Sequence, residues 1–278
     1  MASITDCVVE GLKYPFNDIK KLLGFGVLFA LISALSTFIS VKSFDIFRAT
    51  VHIVEMTNTT ASQLSFSQLP VGDIYLVAGL GIVGFIISLF IMGYQYDIVK
   101  FSIDKKEDLP GFSDVKNLFV KGIKYFIVSL AYNIIPIIFL VAGVALVGDS
   151  SILLIVMAIS MLLFIIAYFL LIMALNNMIA YDSLKKAFDF NEIIGNISNL
   201  GWGKYIGIIL FTIIVMMIIS VAVGFILSLI TVGFAATINN QALIVSLVIA
   251  IIEGLFVDSY MSVFFNRVCG SIYRESIK

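Results

Sequence analysis

Charge is what this sequence has least of. Asp, Glu, Lys and Arg make up 13% of the residues, against 61% hydrophobic. A soluble domain is about a quarter charged, because it must clothe itself in water-compatible surface. With so few polar side chains and a mean hydropathy of +1.11, most of the chain has lipid as its solvent. The net charge of −1 supplies no basic stripe and argues against a nucleic-acid partner. His52 is the single histidine, which excludes the usual multi-histidine metal sites, and no metal is expected. Cys7 and Cys269 are too few for a disulfide framework; both fall on the side read below as cytoplasmic, where free thiols are expected. A cleavable leader is not evident either. Asp6, Glu10 and Asp18 stand among the lysines ahead of the first apolar run, and that run is long enough to span.

A helix crosses the hydrocarbon core in about 20 residues. Six stretches qualify: Leu22–Val41, Ile74–Tyr94, Ile123–Val147, Ile152–Leu175, Tyr205–Thr231 and Ala242–Phe265. Gly148–Ser151 leaves only a tight turn between the third and fourth. Gly, Ala and Ser recur inside every span, as close helix packing in lipid requires. The fold class is therefore all-α, a single six-helix integral membrane domain over residues 1–278.

The basic residues orient it. Fifteen fall on one side: Lys13, Lys20 and Lys21 before the first span, six between Lys100 and Lys124, then Lys185, Lys186 and Lys204, and Arg267, Arg274 and Lys278 in the tail. Lys42 and Arg48 are the two on the other side. This predicts a multi-pass cell-membrane protein with both termini in the cytoplasm. The outer connection from Lys42 to Asp73 is long, and it carries Asn58-Thr59-Thr60, a glycosylation acceptor pattern at Asn58 on the correct side.

Each odd-numbered span follows a segment of helical apolar spacing. Ile4, Val8, Leu12 and Tyr14–Phe16 lead into the first, Leu118, Phe119, Gly122 and Ile123 into the third, and Phe188 to Leu200 into the fifth. Such spacing predicts amphipathic cytoplasmic helices in the membrane interface, or plain connectors packed on their own bundle. The exits of spans two and four also match. Tyr96-Asp97, Lys100 and Asp104 repeat as Tyr181-Asp182, Lys185 and Asp189, four identities in nine positions. Three helical hairpins, each introduced by an interfacial helix, account for this pattern. Lys-Tyr at positions 13–14, 124–125 and 204–205 fits the same unit, although Lys and Tyr anchor any helix at an interface.

Leu12-Lys13-Tyr14-Pro15-Phe16 with Asp18, Gly93-Tyr94, Leu109-Pro110-Gly111-Phe112-Ser113-Asp114 with Leu118-Phe119 and Gly122, and Ala187-Phe188-Asp189-Phe190 resemble a family of archaeal and bacterial polytopic membrane proteins, domain-of-unknown-function family 4013. The likeness extends over roughly residues 5 to 230. A tryptophan that the family leads one to expect near Phe112 is missing. The resemblance implies an archaeal membrane location and a fold, with no catalytic residues to carry over.

Candidate chemistry is sparse. Gly79-Leu80-Gly81-Ile82-Val83-Gly84 spells a dinucleotide fingerprint, but it lies within a span, where glycines allow close helix approach; no nucleotide is expected. Glu253 falls near the middle of the sixth span, with Asp258 about 7–8 Å nearer the cytoplasm and turned by about 140°, so the two carboxyls point to different faces and are not a paired dyad. An ionisable group at Glu253's depth costs about 2.5 kcal/mol or more, so it is expected to turn inward. Asn133, beside Pro136 on the third span, is its candidate partner; Asp258 has Arg267 or water within reach. Glu253, Asn133 and Asp258 thus form a candidate intramembrane polar site, for a solute or as a buried helix tie. Asn176-Asn177 with the two Tyr-Asp pairs frame either a polar vestibule or ordinary interface chemistry. Zinc-protease, phosphate-loop and serine-elbow motifs are all missing, and no cofactor is expected. The resulting expectation is a non-enzymatic protein that organises or assists membrane and envelope components, in contact with the lipid bilayer and with other membrane proteins or lipids. The alternative is a small carrier or lipid-handling protein with an inward cavity at Glu253 and Asn133. An intramembrane enzyme using Glu253 as acid is the third reading.

Overall fold

A computed structural model of the protein describes residues 4–57, 60, 64–65, 69–112, 114–146, 150–235 and 242–278. Every regular element among them is helical. The chain order is α1 (Ile4–Lys13), a 3-10 segment (Tyr14–Asp18), α2 (Ile19–Thr57), α3 (Val71–Ile103), α4 (Val115–Leu146), α5 (Ser150–Tyr181), a 3-10 segment (Leu184–Phe188), α6 (Phe190–Leu200), α7 (Trp202–Ala235), α8 (Ala242–Ile252), a π-helical segment (Glu253–Asp258) and α9 (Ser259–Ser276). Six helical stretches are long and apolar enough to cross a membrane. Their lipid-compatible surfaces follow from composition: Ile135, Leu146, Leu154, Met161, Ile218 and Phe225 are all exposed.

Two expectations change. The stretch from Lys42 to Thr57, read above as part of an outer loop, continues α2 as helix. It contains neither Gly nor Pro, so nothing in it stops the helix that enters it. Leu118 to Ile123 form no separate interfacial helix; they are the first turns of an uninterrupted α4. Pro136 also lies within that continuous helix. Asn58 lies outside the described residues, as do Gly148 and Asp149 of the tight turn.

The contacts divide into two compact units. The first comprises residues 1–22, 92–217 and 261–278. Its α1 and α6 bury one face each, Cys7 and Val8 on α1 and Ile193, Ile197 and Leu200 on α6. Asp189 caps α6, its carboxylate accepting the Glu192 amide at 3.3 Å. Gly93 on α3 lets α4 approach directly, since a Cβ there would strike the Leu118 carbonyl. Cys7 and Cys269 are buried and free.

The second unit comprises residues 23–91 and 218–260. Lys42 reaches Asp73 at 3.3 Å, tying α2 to the start of α3. Where α2 meets the π segment, two glycines face backbone. A Cβ on Gly254 would sit 2.6 Å from the Phe29 carbonyl oxygen, and one on Gly26 would strike that of Leu255. The π winding is closed by the Ser259 amide donating to the Gly254 carbonyl, an i→i+5 bond that inserts an extra residue into the turn. Gly79 and Gly81, by contrast, have nothing within 4 Å. Of the three fingerprint glycines, Gly84 alone faces a neighbour, Leu35 at 3.1 Å, so helix approach explains only that one.

Gly254→Ala is therefore expected to destabilise the protein in detergent by about 1–3 kcal/mol, and Gly79→Ala to leave thermal unfolding unchanged or slightly improved. Equal midpoints for the two variants would refute the close crossing.

Candidate functional site

Polar side chains collect in the first unit, where they face the backbone carbonyls of the α3–α4 connection. That connection has no ladder or helix to use its carbonyls, so their donors come from side chains or water. Four consecutive ones are met from elsewhere in the chain. Asn17 Nδ2 donates to Glu107 O at 2.9 Å, Tyr14 Oη to Asp108 O at 2.7 Å, Lys21 Nζ to Leu109 O at 2.8 Å and Tyr94 Oη to Pro110 O at 2.9 Å. Phe112 stacks on Tyr94 with centroids 4.5 Å apart. The Leu-Pro-Gly-Phe motif is thus a clamped structural turn.

Beside it, α9 is held to α1 by one carboxylate. Glu10 accepts from Arg267 at 2.7 Å and from Arg274 at 2.8 Å. Arg267 also donates to Lys106 O at 2.7 Å and lies over the Tyr14 ring at 4.1 Å, while Arg274 donates to Ser102 O at 3.1 Å. The side chain of Arg267 is 5% exposed. Two planar forks around one carboxylate satisfy its lone pairs and leave one positive charge over. The two arginines, Glu10, Lys13, Asn17 and Lys105 belong to the wall of an open basin of 560 Å³.

The repeated Tyr-Asp pairs meet each other. Tyr96 donates to Asp182 at 2.7 Å, and Lys124 pairs with the same carboxylate at 2.9 Å. Asp97 is taken by Lys121 at 2.6 Å. Each Tyr ring carries a lysine ammonium, Lys121 over Tyr96 and Lys186 over Tyr181. The bonds from Lys124 and Tyr96 hold the Asp182 carboxyl below the usual carboxylate range. Asn176 and Asn177 do not line a vestibule. Both are fully buried; Asn176 donates to Cys269 O at 3.0 Å, and Asn177 bridges Lys186 O at 2.9 Å and the Tyr273 hydroxyl at 2.8 Å.

The three expected intramembrane residues are not brought into one described site. Glu253 and Asp258 belong to the second unit and Asn133 to the first. Glu253 is exposed on its helix instead of turned inward. Asp258 accepts from Ser33 at 3.3 Å, while Arg267, the partner expected for it, is occupied by Glu10. The 140° separation of Glu253 and Asp258 also fails, because both lie on the π segment and that angle assumes α winding. Asn133 turns its amide to its own helix, donating to Ser129 O at 2.8 Å. It lines an apolar cleft of 640 Å³ with Ser160, Phe164, Tyr168 and Leu210, from α4, α5 and α7. A smaller cleft of 250 Å³ lies at Pro136, roofed by Phe188 and Phe190, where Tyr132 donates to Ala187 O at 2.6 Å. Sequence reasoning missed this role for Tyr132; an isolated tyrosine in a span gives no hint of its acceptor. Among the described residues no three His, Cys, Asp or Glu side chains group as a metal site.

Six apolar spans, polar side chains directed to backbone carbonyls, and clefts lined by hydrocarbon define a multi-pass helical membrane protein. The family described as "Protein of unknown function (DUF4013)" matches residues 76–232, more than half of the 278-residue chain, and the chain belongs to that family. The Leu12–Phe16 motif falls before the matched stretch. An uncharacterized protein of Methanocaldococcus jannaschii is 25% identical over 227 residues, covering 73% of this chain and 75% of the relative. No solved structure matches the chain.

Glu10→Gln removes the charge that two guanidiniums share. A loss of about 2–3 kcal/mol of stability is expected, read as a lower unfolding midpoint in detergent; an unchanged midpoint would show the node to be dispensable. Asp182 has a depressed folded-state pKa, so its contribution is present above the unfolded value of about 4 and fades as pH falls through the folded one. Its side chain is 70% exposed, which limits the effect to about 0.5–1 kcal/mol. The stability gap between wild type and Asp182→Asn should close on acidification, and a gap constant down to acid pH contradicts the assignment.

Proposed function

We propose that this is a non-enzymatic cell-membrane protein that organises or assists other membrane components, with both termini in the cytoplasm. One observation carries the reading: Glu253, in the middle of an apolar span, is exposed on the surface of its helix. A carboxyl at that depth is costly against hydrocarbon and is normally satisfied by a polar partner. A polar group on a neighbouring protein's span supplies one, as interhelical hydrogen bonds do in lipid. Ile252 and Phe256, exposed beside it, offer the apolar contact such a partner packs against. The orientation rests on the fifteen basic residues of one side against two. On that side α1 and α6 act as amphipathic interfacial helices introducing their hairpins. They keep Val9 and Phe190 exposed opposite their buried faces, and such a face lies naturally along a headgroup layer.

The 640 Å³ cleft at Asn133 favours a second reading, a lipid-handling protein or carrier. Chemical cross-linking in native membranes, then purification in mild detergent and mass spectrometry, separates the two. The organising role is expected to yield the same protein partner in independent preparations, and Glu253→Leu should lose it while keeping the fold. If Glu253→Leu keeps every partner, the role fails. If instead a lipid or solute co-purifies at fixed stoichiometry and Asn133→Leu releases it, the second reading replaces the first.

A further inference from the structure

The geometry points to a phosphate-binding site in the basin between α1, the α3–α4 connection and α9, suited to the headgroup of an anionic lipid or to free phosphate. Five basic side chains face three carboxylates around its 560 Å³. The distribution of that charge matters more than the sum. Arg267 and Arg274 both lean on Glu10, so the floor of the basin holds two guanidiniums for one carboxylate. Their side chains are 5% and 15% exposed, so water screens the leftover charge less than it would at an open surface. Lys13 and Lys105 stand exposed at the rim, and among the described residues neither makes an ion pair. Lys105 is presented by a left-handed backbone, φ 59°, at the turn where α3 ends.

Two free ammonium groups above an under-neutralised guanidinium floor match a compact tetrahedral dianion or a phosphodiester. Lysine supplies the mobile point charges and arginine the fixed field. Glu107 and Glu275, also on the wall, disfavour a ligand carrying many charges and select a single phosphate. A lipid source fits the surroundings: Val9, Phe16 and Ile19 on the same N-terminal segment are exposed by 44%, 63% and 56%, an apolar flank of the kind that sits among acyl chains beside a headgroup. This inference is independent of the function proposed above, which rests on Glu253.

The test uses the full chain and thermal unfolding. Wild type is placed in phosphatidylcholine nanodiscs with and without phosphatidylglycerol, and separately in neutral detergent with and without inorganic phosphate. A rise in midpoint of about 2–4 °C is expected on adding the ligand. It should vanish in the double variant Lys13→Gln/Lys105→Gln, whose exposed side chains make no ion pair among the described residues, and persist in Lys20→Gln/Lys116→Gln, which removes two exposed lysines outside the basin. A shift with phosphatidylglycerol alone assigns the site to a lipid headgroup. A shift with phosphate alone assigns it to the soluble ion, and a shift with both assigns it to the phosphate group itself. No shift in either arm, a shift that survives Lys13→Gln/Lys105→Gln, or one lost equally in the control pair overturns the site.

Discussion

Hydrocarbon offers no hydrogen bonds, and this architecture follows from where each polar group finds one instead. Within the spans the backbone serves itself by winding into helices, and the few polar side chains fold back onto it. Thr37 donates to Ser33 O, Thr212 to Ile208 O and Ser259 to Leu255 O, each one turn away. Asn133 does the same. The difficulty moves to the helix ends, where the chain must turn and its carbonyls are left over. The α3–α4 connection meets it with borrowed donors, two tyrosines, an asparagine and a lysine. Those donors come from α3, the segment after α1 and the beginning of α2, so satisfying a loop also fixes which helix ends gather around it.

The same economy separates structural polarity from chemistry. Asn176, Asn177 and Tyr273 are buried with a hydrogen-bond partner for each, Asn177 and Tyr273 being bonded to one another. A satisfied network of this kind specifies a unique packing; it does not present a reactive group. The paired Tyr-Asp motifs go further, because the tyrosine of one copy bonds the aspartate of the other. Two similar stretches of sequence are here joined by one hydrogen bond. Among the described residues, unbalanced polarity includes the carboxyl of Glu253, the positive excess at Glu10 and the buried amide nitrogen of Asn196, which has no hydrogen-bond partner.

Much of the fold was legible. Spans are a matter of composition and length, and every one of the six has its helix, most with ends displaced outward. α2 is the extreme, extended to Thr57 because the outer segment has no helix breaker. The family, too, could be read from short motifs such as Leu109–Phe112, although their purpose could not. Partner choice was the hidden part. Tyr14 and Asp108 are separated by 94 residues, Arg267 and Glu10 by 257, and a single sequence holds no signal for such pairings. The winding from Glu253 to Asp258 was hidden for a different reason: hydrophobic periodicity assumes α winding, and the extra residue of a π turn redirects the side chains after Glu253.

The Glu10 node also bears on how the protein is made. Its carboxylate reaches the ribosome's exit long before Arg267 and Arg274, since domains emerge N-terminal end first. Until α9 arrives, Glu10 lacks both arginines, and Gly11 lacks the Val268 and Phe264 side chains it faces. The packing of the first helix is therefore completed only by a segment that follows it by more than 250 residues.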